Sequence, residues 1–74
     1  MPSREMEERH LLRANILLIE AELRFSEQFL RVEHLKANGR RTEDAETLLQ
    51  IIEETLQAYR DHRELILDAL SRAD

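Results

Sequence analysis

The residues of this chain best suited to chemistry are three histidines, His10, His34 and His62, and the carboxylates spaced around them. Glu7 and His10 stand three apart, a Glu-x-x-His spacing that on a helix puts a carboxylate and an imidazole on one face. Di-iron carboxylate bundles use two such motifs together with two further inward glutamates. Here the motif occurs once, near the start of the chain, and Glu20, Glu53 and Glu54 fall largely on the polar faces of the helices that would carry them. Only pairing of two copies would supply the second motif. A carboxylate metal-binding bundle is therefore an alternative reading. The main expectation is no metal ligand, no cofactor and no catalytic residue, with His10 and His34 at the surface and His62 at an interface edge.

The hydroxyls give a similar answer. Ser3, Ser26, Ser71, Thr42, Thr47 and Thr55 have no histidine at a helical spacing that would also seat the pair in a pocket, and there is no glycine-rich phosphate loop. The chain reads as non-enzymatic. Arg31, Lys36, Arg40 and Arg41 gather around the single glycine, Gly39, and make a basic end against an acidic second helix. Such a cluster could contact nucleic acid or an acidic partner, and a small regulator of that kind is the second alternative. The formal net charge of −5 argues against it, because nucleic-acid binders present a basic face.

The elements that must position these groups are two long helices. Ser3 is the expected N-cap of the first, with Glu5, Glu7 and Glu8 near the positive end of its dipole. Nothing from Arg4 to Ala37 breaks a helix, and Asn38-Gly39 ends it, Gly39 taking the left-handed position. Thr42 is the expected cap of a second helix over 43–72, with Glu43, Asp44 and Glu46 in its first turn. A turn over 38–42 between helices of this length forces an antiparallel hairpin. Glu5 with Arg9, Glu20 with Arg24, and Glu27 with Arg31 form a ladder of acid-first pairs on a solvated face.

The apolar pattern carries more information. The first helix has two stripes on nearly opposite sides: Leu11, Ala14, Leu18, Ala21, Phe25, Val32 and Leu35, and then Leu12, Ile16, Ile19, Leu23 and Leu30. One stripe suffices to face a core, so the second needs another burial partner. The second helix holds a heptad, Ala45, Leu49, Ile52, Leu56, Tyr59, Arg63, Ile66, Leu70 and Ala73, the spacing of a left-handed seam. Leu48 and Leu67 widen it, and Ile51, Ala58, Leu65 and Ala69 make a weaker outer stripe. Two hairpins paired as a homodimer would close a four-helix bundle burying both outer stripes, with Leu12, Ile16, Ile19, Leu23, Leu30, Ile51, Ala58 and Leu65 at the contact. A helix of another protein could occupy the same surface. Two polar residues stand in the inner seam and are read as setting its register: Gln28, among Phe25, Phe29 and Val32, and Arg63, expected near Leu18 and within reach of Glu20 or Glu22.

Composition agrees with this reading. Seventy-four residues make one small domain, with no cysteine to staple it, so association is the remaining source of stability. The longest apolar run, Ile16-Leu17-Leu18-Ile19, is too short to span a bilayer, and the acidic N-terminus lacks a signal-peptide core. A cytoplasmic protein that does not enter membranes is expected.

The run Leu35-x-x-x-Gly39-x-x-Thr42-x-x-Ala45-Glu46-x-Leu48-Leu49, followed by Leu56 and then His62-Arg63-x-x-Ile66-x-x-x-Leu70, resembles a group of short uncharacterised bacterial proteins of the alphaproteobacterial type. The likeness covers the chain from about Ala21 onward. It implies a helical hairpin and a bacterial origin, and brings no functional residues with it. In architecture the chain is also similar to the plasmid-encoded ROP bundle, a dimer of hairpins that binds RNA; that is an analogy of fold, and the acidic charge here departs from it.

Overall fold

The computed structural model describes residues 3–72, which form two helices, α1 (Arg4–Ala37) and α2 (Glu43–Arg72), folded back on each other as an all-α hairpin. Ala73, the last expected position of the second seam, lies outside the described residues. The hairpin is a rod about 57 Å long and 13–14 Å across.

Local chemistry sets the ends. Ser3 is extended (φ −79°, ψ 154°) and its hydroxyl accepts from the Met6 amide at 3.1 Å, satisfying one of the free donors of the first turn. At the other end Gly39 has φ +64°. That conformation lets the Arg40 amide donate to the Leu35 carbonyl at 2.9 Å and the Gly39 amide to the Lys36 carbonyl at 3.0 Å. These are the paired bonds of a Schellman cap. The Asn38 side chain adds a bond to the His34 carbonyl at 2.8 Å. The Thr42 carbonyl accepts from the Glu46 amide at 2.8 Å, which opens α2.

The seam between the helices is thin. On α1 the deepest line recurs every seven residues, at Glu7, Ala14, Ala21 and Gln28, flanked by buried Val32 and half-buried Leu11, Leu18, Phe25 and Leu35. On α2 only Leu56 and Ile66 are buried, and the other heptad positions are half-buried. Among the described residues no side chain is fully enclosed. The positions of α1 that meet α2 most closely are thus small or polar, while its largest aliphatic side chains lie elsewhere. A core of this kind brings two backbones close but removes little apolar surface from water.

The ladder on the solvated face is only partly formed. Arg9 meets Glu5 at 2.8 Å and Arg4 meets Glu8 at 3.2 Å, whereas the Glu20–Arg24 and Glu27–Arg31 rungs stay open. Exposed pairs gain little over their hydration, so open rungs cost the helix almost nothing.

Candidate functional site

Leu12, Ile16, Ile19, Leu23 and Leu30 follow one another at steps of four and three along α1, with Ser26 filling the remaining place. On a helix whose Ala14, Ala21 and Gln28 face α2, these steps fall on the outward side. All five are exposed, from 49% at Ile16 to 66% at Ile19 and Leu30. The stripe runs for about 27 Å along the helix. It is an extended row of exposed large aliphatic side chains.

The α2 members of the expected contact are also exposed, Ile51 at 54% and Leu65 at 69%, with Ala58 between them. Two shallow clefts flank the seam. On one side Ser26, which belongs to the α1 stripe, lines a cleft with Glu22, Phe25, Glu53, Leu56 and Arg60. On the other side Leu48, which widens the inner seam of α2, lines a cleft with Arg31, Leu35, Arg41 and Asp44. Each stripe lies on the side of its own helix away from the seam residues, Ala14, Ala21 and Gln28 on α1 and Leu56 and Ile66 on α2. A contact made through the α1 stripe alone leaves Ile51, Ala58 and Leu65 outside it. Each helix fixes the spacing of its own stripes, but only packing fixes how the helices are turned relative to each other.

The polar residues of the seam are partnered. Gln28, buried, donates its Nε2–H to the Ala45 carbonyl at 2.9 Å. Arg63 donates from Nε to Asn15 Oδ1 at 2.6 Å, and its Nη1 lies 4.0 Å from Glu64. The expected partners Glu20 and Glu22 are not used. Glu22 and Arg60 both line the first cleft, and Glu20 is exposed. Asn15 was not foreseen, because its type carries no charge to signal a partner.

Two cations of the basic end lie near acids. Lys36 lies 3.8 Å from Glu33 and 3.6 Å from Glu46, and Arg41 lies 3.7 Å from Glu43. Arg31 and Arg40 remain exposed. The Lys36–Glu46 contact runs across the hairpin. The Glu-x-x-His motif is present in space: Glu7, only 8% exposed, holds its Oε2 3.6 Å from His10 Nδ1. Its carboxylate sits in the first turn of α1, where the helix dipole favours negative charge. Among the described residues no group of three or more His, Cys, Asp or Glu side chains is placed to hold a metal ion. His10, His34 and His62 are all exposed. Among the described residues no helix is long and apolar enough to cross a membrane.

Comparison with protein-family models, with curated proteins and with solved structures finds no match to this chain.

Proposed function

We propose that this chain is a non-enzymatic assembly module, working as a homodimer of hairpins joined through the outer stripe of α1. The observation that carries the reading is the placement of Leu12, Ile16, Ile19, Leu23 and Leu30 on the side of α1 away from α2, while Ala14, Ala21 and Gln28 take the inner line. A helix meant to be solvated on its outer side gains nothing from five large aliphatic residues at seam spacing. A helix with partners on both sides requires them.

The energetics are consistent with a reversible contact. Covering ten partly exposed aliphatic side chains in a symmetric dimer is worth on the order of 10 kcal/mol in transfer terms. Association costs about 4–15 kcal/mol in lost freedom, so dimer formation depends on concentration. The hairpin alone has a thin seam, and dimerisation couples to its stability by mass action.

Light scattering at micromolar concentration tests this. A mass of twice the 8.8 kDa chain is expected. A monomeric mass with full helicity would reject the homodimer and turn attention to a helix from another protein.

A further inference from the structure

The exposed stripe of α1 does not by itself say how a second copy lies along it, but the side chains bordering it do. We infer that the two copies pair antiparallel through α1, with the two-fold axis passing between Ile19 and Leu23. This rests on the homodimer reading above. In that register Leu12 packs beside Leu30 of the second copy, Ile16 beside Ser26 and Ile19 beside Leu23. Every large residue of the stripe is covered, which no shift by a whole heptad achieves.

Charge selects this arrangement over its competitors. The stripe is bordered on one side by Arg13, Glu20 and Glu27, and on the other by Glu8, Asn15, Glu22, Phe29 and Lys36. Antiparallel pairing sets Arg13 against Glu27 of the second copy and Glu8 against Lys36, each twice by symmetry. The contacts of Glu8 with Arg4 and of Lys36 with Glu33 and Glu46 in the single hairpin are between half-exposed side chains and exchange at little cost. Antiparallel pairing also sets Glu20 against Glu20 and Glu22 against Glu22, each once, so attraction prevails. Parallel pairing sets Glu8 against Arg13 twice but Glu22 against Glu27 twice, and nothing is gained. A head-to-tail contact, the α1 stripe of one copy on the Ile51–Leu65 stripe of another, brings Glu20, Glu22 and Glu27 toward the acidic row Glu54, Asp61 and Asp68 that borders the latter. Such a contact is also heterologous and propagates instead of closing. The antiparallel dimer is closed, with its two loop ends at opposite tips.

The chain has no native cysteine, so one introduced at His34, exposed on α1 and outside the stripe, carries a unique nitroxide label. Antiparallel pairing places the two labels about 39 Å apart along the axis, and parallel pairing brings them within about 20 Å. A double electron–electron resonance distance near the longer value is expected, and the shorter one overturns the inference while leaving the dimer intact. A monomeric mass removes the dimer itself, so the two failures are distinguishable. Glu27→Arg gives a second test. In the antiparallel dimer it meets Arg13 and raises the dissociation constant by about three- to tenfold. In the parallel dimer it relieves Glu22 and lowers that constant, and a fall would overturn the proposal.

Discussion

The Arg63 guanidinium donates from Nε to Asn15 Oδ1 at 2.6 Å, a bond that ties residues 48 apart in sequence across the hairpin, nearer its open end than its loop. The Arg63 side chain is one-third exposed. A hydrogen bond to a charged donor contributes about 1.5–3 kcal/mol when well buried, and solvent at this site reduces that. Asn15→Ala is expected to lower stability by about 1 kcal/mol in urea denaturation at fixed protein concentration. Replacing both residues, Asn15→Leu with Arg63→Met, should recover most of the loss, because an apolar pair leaves no stranded charge. A double variant that is worse than the sum of the singles would show that the bond is not the relevant interaction.

Gly39 offers a cleaner test of backbone conformation. A Cβ at this position would meet no atom within 4 Å, so a substitution there acts through the left-handed φ of +64° and not through a clash. Gly39→Ala is expected to cost about 1 kcal/mol, and Gly39→Asn distinctly less, since asparagine tolerates that region. Equal losses for the two variants in thermal melts would contradict this account.

Two charge insertions separate the inner seam from the outer stripe. Leu56, 3% exposed, is part of the contact between the helices, and Leu56→Glu is expected to abolish the cooperative helical signal in circular dichroism. Ile19→Glu places its charge on the outer side of α1, where the monomer already exposes the residue. Its expected result is a species of half the mass that stays helical and melts at lower temperature. If Ile19→Glu unfolds the chain as completely as Leu56→Glu does, the division into two seams is wrong.

Ser26 interrupts the outer stripe between Leu23 and Leu30. In the proposed dimer it faces Ile16 of the second copy, and Ser26→Leu would add apolar contact twice. The dissociation constant measured by sedimentation equilibrium should fall by about ten- to a hundredfold. An unchanged constant would remove Ser26, and the register that places it, from the interface.

The sequence by itself determined what is local. Ser3 capping the Met6 amide, Gly39 at a positive φ, the unbroken helices between, and the spacing of each stripe all follow from side-chain type and period, because a helix fixes its own 3.6-residue geometry. The exposure of Leu12, Ile16, Ile19, Leu23 and Leu30 in a single hairpin was legible for the same reason. Tertiary structure alone decided two things: that Asn15, and neither Glu20 nor Glu22, receives Arg63; and that Lys36 turns to Glu46 across the loop. Each depends on how one helix is rotated and slid against the other. That relation is set by the interdigitation of Ala14, Ala21 and Gln28 with the side chains of α2, and periodicity within either helix does not encode it.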